Sequence, residues 1–155
     1  MSFEDHTEIV RRRYEYALGI DTKDWGLFRG VFTEEIAVDF TSYDGATAGQ
    51  MSALSWIESI KPLFHGLEAT QHTMSNPIVE LDGDRATLTM YMQAAHFLNN
   101  DKGDREYTIG GYYFDKLERV DGRWLINSVT LNLLWSRGNA GIMSLALENS
   151  RQKAP

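Results

Sequence analysis

The chain has 155 residues, with 15 Lys and Arg against 22 Asp and Glu, a formal net charge of −7 with the histidines neutral. At 43% hydrophobic and 24% charged it is neither disordered nor membrane-embedded, and its negative balance excludes a protein that grips a nucleic-acid backbone. It has no cysteine, which excludes disulfides and thiolate chemistry. One domain over residues 1–155 is expected, long enough to bury about 68–70% of its unfolded surface.

The first half follows a helical period. Thr7 is placed to cap a first helix whose apolar side collects Ile9, Val10, Tyr14, Ala17 and Ile20. Asp21 to Asp24 breaks that pattern, and a short helix with Trp25, Leu27, Phe28, Val31 and Phe32 follows. Residues 36–40 read as a strand, 44–49 as a loop, and 52–64 as a helix marked by Leu54, Ile57, Ile60 and Phe64.

The second half alternates. Runs over 70–81 and 84–98 flank an Asp82-Gly83 turn, and runs over 105–120 and 123–135 flank Asp121-Gly122. Asp-Gly between alternating apolar residues is a strong hairpin signal, because the turn needs positive φ. Gly110-Gly111 inside a strand predicts a bulge or bend. Helices followed by a meandering sheet predict an α+β fold, a cone in which a curled antiparallel or mixed sheet is closed by the N-terminal helices.

Polar residues on apolar faces are the candidates for function. In Ala86, Leu88, Met90, Met92, Ala94, His96 and Leu98 a single imidazole sits on an otherwise apolar face, so His96 points inward. Alone, it reads best as a core histidine. If the strands pair through Asp82-Gly83, partners sum to about 165 or 166; His72 and His96 sum to 168, which brings two imidazoles to one end of the sheet. Asp21 ends the apolar stripe of the first helix and reads equally well as a carboxylate reaching an imidazole or as a cap of the next helix. Tyr16 reads as core, or as a phenol donating to a carbonyl or enolate oxygen. No histidine pair has metal-ligand spacing, and there is no phosphate loop or nucleophile elbow, so neither a metal nor another cofactor is expected.

Asp21 to Trp25, the strand ending Val38-Asp39-Phe40, Thr70-Gln71-His72, His96 and Val120 to Trp124 occur in an order that resembles the SnoaL-like, scytalone-dehydratase-related branch of the nuclear-transport-factor-2-like superfamily. The resemblance runs from about Thr7 to Trp135 and implies the same cone-shaped α+β barrel. Scytalone dehydratases use an Asp and two His, which match Asp21, His72 and His96. The two tyrosines that hold their catalytic water fall here at Ile20 and Phe40, and their serine and asparagine fall near Gly111 and Tyr113, so scytalone itself is not the expected substrate. Bile-acid dehydratases place a tyrosine five residues before the Asp, where Tyr16 stands.

The reading that follows is a cofactor-independent, dehydratase-like lyase acting on an apolar cyclic or polycyclic carbonyl compound. His72 is the expected base, Asp21 the orienter of an imidazole (His96 in preference), and Tyr16 the enolate donor. Phe40, Met74, Met90, Met92 and Tyr113 are the expected substrate-binding wall. Alternatives are an isomerase or aldol cyclase of the same fold, or a non-catalytic module that binds a small molecule or acts as an oxygenase small subunit. An acid low in the cone, for a ketosteroid-isomerase-like site, finds no convincing place. An epoxide-hydrolase relay lacks an inward Arg on the alternating faces. The partners expected are a small apolar carbonyl substrate and copies of the chain itself, a trimer rather than a dimer, through outer sheet positions Leu125, Val129, Leu131 and Leu133. No nucleic acid or membrane is expected as a partner. The N-terminal residues lack the apolar core of a signal peptide, so a cytoplasmic location is expected.

Overall fold

The computed structural model describes residues 2–153; Met1, Ala154 and Pro155, part of the domain expected over 1–155, lie outside the described residues. Among the described residues the order is α1 (Phe3–Thr22), α2 (Trp25–Arg29), β1 (Phe32–Asp39), α3 (Thr41–Asp44), β2 (Ala48–Ser52) and α4 (Ala53–Gly66). Then come β3 (Ala69–Asp82), β4 (Arg85–Phe97), β5 (Glu106–Val120), β6 (Arg123–Gly138) and α5 (Gly141–Lys153). The expected α+β architecture is present. The strands form one curved sheet in the order β2-β1-β6-β5-β4-β3, mixed because β1 runs parallel to β6. The barrel does not close: β2 and β3 are free edges, and helices rather than hydrogen bonds complete the enclosure.

Ser2, not Thr7, caps α1, accepting from the Asp5 N–H at 3.0 Å, while the Thr7 hydroxyl donates back to the Phe3 carbonyl. That helix buries Ile9, Val10, Ala17 and Ile20 as expected, but Tyr14 is exposed and Arg13 takes the inward place beside Tyr16. In α4, Ile57 and Phe64 are buried while Leu54 turns outward. Its neighbour α5, not among the elements expected above, packs on α4 with Ile142 and Ala146 wholly buried.

Two bulges set which side chains of β6 face the core. Lys116 pairs with Ser128 but Leu117 with Ile126, leaving Asn127 unpaired and shifting the alternation by one. Trp124 and Ile126 face inward before it, and Val129 and Leu131 after it, at 0% and 2% exposure. Val129 and Leu131 are therefore core rather than outer face, and Leu133 also packs against the core. The second bulge is the one expected at Gly110-Gly111, where Leu134 is left over. A Cβ on Gly111 would lie 2.1 Å from the Asn132 carbonyl oxygen, so only glycine allows that approach. Beyond it, Leu134 and Trp135 join Tyr91 as exposed apolar groups.

The β3–β4 hairpin turns one residue later than the sequence suggested: Asp82 pairs with Arg85, with Gly83 at φ 59 between them. A bulge at Asn76-Pro77, with Asn76 at φ 56, then absorbs one residue. Past it, His72 faces Ala94 and His96 faces Thr70, both on the inward side of the sheet.

Candidate active site

On α1, residues 9, 13, 16 and 20 share one face, which delivers Ile9, Arg13, Tyr16 and Ile20 to the interior. Asp21 stands beside them in the last turn, where Lys23 in the left-handed conformation stops the helix. It does not cap α2; Asp24 does, accepting from the Leu27 N–H at 2.9 Å. Asp21 instead meets β3, the free edge whose unpaired N–H groups face α1. Its carboxylate accepts three hydrogen bonds: from the Thr70 hydroxyl at 2.8 Å, from the His72 backbone N–H at 2.7 Å and from His72 Nδ1 at 2.6 Å.

Those bonds fix the imidazole. With Nδ1–H donating to Asp21, the lone pair of His72 is on Nε2. The His72 side chain is only 5% exposed and lines the interior cavity. Asp21 thus orients His72, not His96, because His96 is opposite Thr70 and finds its own partner across the other neighbour. The Nδ1 of His96 donates to the Tyr107 carbonyl at 3.0 Å. Burial, reinforced by His72 nearby, pushes the His96 imidazole down to about 4. It is therefore neutral near pH 7, with its own lone pair on Nε2. The two rings lie 6.2 Å apart, edge to face.

The cavity has a volume of about 330 Å³, at the small end of ligand-binding pockets. Tyr16 and Tyr113 line it with ring centroids 5.8 Å apart. Burial raises both phenols above their ordinary value, Tyr113 the further, so each is a hydrogen-bond donor at any physiological pH. Phe40, Met92, Ile109 and Leu131 add apolar wall, and α5 contributes Met143. Two residues expected in the wall stand outside it. Met90 is wholly buried one alternation beyond Met92, paired with Tyr113, and does not line the cavity; Met74, opposite Met92, packs against the core without lining the space.

Beyond the phenols lies a group that the sequence reading missed. Arg13 is fully buried, and its guanidinium donates twice to the carboxylate of Asp115, from Nε at 2.9 Å and from a terminal nitrogen. The same guanidinium stacks on Tyr16 and Tyr113, 4.1 and 3.8 Å from their ring centroids. An inward Arg and a low acid therefore exist, but as partners of each other. Asp115 was legible as the next inward residue after Tyr113 in an alternating strand, and Arg13 as a member of the α1 stripe. Among the described residues no three His, Asp or Glu side chains gather to hold a metal ion, and no helix is long and apolar enough to cross a membrane.

Comparison with known proteins agrees with this architecture. The SnoaL-like domain family matches residues 1–130. A protein of Pestalotiopsis microspora named as a dehydratase is 28% identical over 134 residues, 81% of this chain and 84% of that protein. The crystal structure of the Kfla4162 protein of Kribbella flavida superposes with a TM-score of 0.86 at 26% identity, covering 91% of this chain and 97% of that one. A Novosphingobium aromaticivorans protein provisionally named scytalone dehydratase shares the fold, with a TM-score of 0.75 at 18% identity over 87% of each chain.

Proposed function

The chain belongs to the SnoaL-like domain family, and from that premise we propose that it is a cofactor-independent lyase of the dehydratase kind, acting on a neutral, ring-containing carbonyl compound. The observation that carries the reading is the 2.6 Å contact between Asp21 and His72 Nδ1 beside an apolar cavity. A carboxylate there stabilises the imidazolium that forms when Nε2 takes a proton, and it holds the ring in the tautomer that can take it.

The reaction balances with these groups alone. His72 Nε2 removes a proton from the carbon next to the substrate carbonyl, and the C–H electron pair moves into an enolate. The phenols of Tyr16 and Tyr113 donate to the developing oxyanion, an interaction worth about 3 kcal/mol per well-placed donor in a dry site. Collapse of the enolate forms the C=C bond and breaks the C–O bond of a β-hydroxyl. That hydroxyl leaves as water with the proton His72 gives back. Neutral His96 offers an Nε2 lone pair to the departing hydroxyl and so orients it. The name of the 28% identical relative supports the same class of chemistry.

The test is a panel of β-hydroxy cyclic ketones incubated in D₂O and followed by mass spectrometry and NMR. Loss of water by the wild-type protein, falling by about 10²–10⁴-fold in His72→Ala, is expected. Unchanged turnover by His72→Ala refutes the assignment of the base. Deuterium entry beside the carbonyl without loss of water would move the reading to an isomerase or aldol cyclase.

A further inference from the structure

Arg13 and Asp115 form an ion pair that stability alone does not explain. Both side chains are fully buried, and two of the three guanidinium nitrogens donate to the carboxylate. The third, Nη1, is buried without a hydrogen-bond partner among the described residues. Taking two charges out of water is costly, and a pair with an unsatisfied member is worth less than well-packed apolar side chains of similar volume.

The place of the pair suggests its use. Arg13 and Tyr16 share one face of α1, and Tyr113 and Asp115 share one face of β5. The pair therefore ties together the two elements that present the phenols, and the guanidinium Cζ sits over both rings, 4.1 and 3.8 Å from their centroids. Both phenols line the cavity; Arg13 and Asp115 do not. No Lys or Arg is among the lining side chains, so the positive charge at this wall stands one layer back, on Arg13. A cation over a phenol ring makes the hydroxyl a stronger donor and favours a negatively charged acceptor over a neutral one. Burial raises both phenols above their ordinary value; Arg13 draws each back down by more than Asp115 pushes it up.

We infer that Arg13 is a positioning residue acting through Tyr16 and Tyr113: from behind the two rings it biases the site toward a ligand oxygen that carries negative charge, an enolate or a phenolate, over a neutral carbonyl or ether. This rests on the reading in which those phenols meet the developing oxyanion. It narrows the substrate to ring ketones whose enolate is the species the site holds most tightly. Asp115 is the counterweight, which makes the guanidinium tolerable in the core and limits the bias.

The test uses para-nitrophenol, whose anion absorbs at longer wavelength than its neutral form, and para-nitroanisole, which cannot ionise. His72 imidazole signals report occupancy, and absorbance against pH reports ionisation of the bound nitrophenol. In the wild-type protein the bound nitrophenol is expected to ionise at lower pH than the free compound. Arg13→Met with Asp115→Leu removes the cation and keeps the core filled, whereas Asp115→Asn keeps the cation and removes the opposing charge. The double variant should bind the anion about 3- to 10-fold more weakly than wild type, and Asp115→Asn about 3- to 10-fold more tightly, with nitroanisole affinity unchanged in both. Tyr43, Asp44, His72 and His96, the other titratable groups of the lining, are common to all three proteins. Damaged packing would weaken every ligand in both variants and cannot move the anion in opposite directions. Anion affinity equal to wild type in either variant, movement in the same direction in both, or a wild-type complex in which nitrophenol ionises no earlier than when free overturns the inference and leaves the cavity reading in place. Should the double variant not fold, Asp115→Asn and the wild-type pH curve decide the question. If neither probe shifts His72, the cavity reading itself fails and the inference falls with it.

Discussion

Burying His96 gives the folded protein an acid limb in its stability. The residue is 3% exposed, and its imidazole is moved from 6.5 in the unfolded chain to about 4 in the folded one. As pH falls below 6.5 the unfolded chain takes up a proton at this site, and the folded chain resists until about 4. Between those values the unfolded state binds more protons, so stability falls as pH falls and is fully present only above 6.5. The gap corresponds to about 3 kcal/mol over the whole window, and to about 2 kcal/mol between pH 7 and pH 4.5. Against a typical total of about 5–15 kcal/mol this is measurable. Urea unfolding at the two pH values, for wild type and His96→Asn, isolates it. The asparagine amide can still donate to the Tyr107 carbonyl but does not titrate, and the carboxylates contribute alike to both proteins. Wild type should lose about 2 kcal/mol more than the variant on acidification. Equal losses, or an imidazole that titrates by NMR at 6.5, would refute the argument that burial holds His96 neutral.

Two further outcomes test the frame around the site. Arg13→Met should destabilise by about 3–5 kcal/mol in denaturant unfolding, because it leaves the Asp115 carboxylate buried without its partner. Adding Asp115→Leu should recover most of that loss, and a single variant as mild as a surface substitution would show that the pair is not buried as described. Gly66→Ala should destabilise by about 1–3 kcal/mol, since its Cβ would lie 1.8 Å from the Ala146 carbonyl oxygen and force α5 away from α4. Because α5 brings Met143 to the cavity, the same variant should also weaken binding of the β-hydroxy cyclic ketones that the wild-type protein dehydrates; unchanged melting and binding would detach α5 from the site.

The four long strands were legible because each alternates over much of its length and they fall into two hairpins, each turning at an Asp-Gly pair with a glycine of positive φ. The short strand β2 was not: Ala48, Gly49 and Gln50 are exposed on a free edge, so no apolar period marks it. Long-range pairing hid Arg13. Arg13 closes a run of three arginines, Arg11 to Arg13, which reads as surface, and the carboxylate that lets Arg13 be buried lies 102 residues away. The outward reading of Val129 and Leu131 failed at a single residue, Asn127, whose bulge inverts every side chain after it. A bulge like that leaves no mark in the apolar pattern that a simple change of strand face would not also leave.

The choice between the two imidazoles turned on the same kind of detail. Sequence placed His72 and His96 together, and the structure keeps them 6.2 Å apart, yet it gives them unlike partners. An edge strand with free N–H groups draws the Asp21 carboxylate to His72, and the interior strand leaves His96 only the Tyr107 carbonyl. The carboxylate fixes the His72 ring in the tautomer with its lone pair on Nε2, whereas a carbonyl in a desolvated position does little to offset the cost of charge on His96. Two residues of the same type, on the same face of neighbouring strands, are thereby divided into one oriented by a carboxylate and one held neutral. The division arises from where the sheet ends, so moving Asp21's partner by one residue along β3 would turn the imidazole to the outer face and remove the base from the cavity altogether.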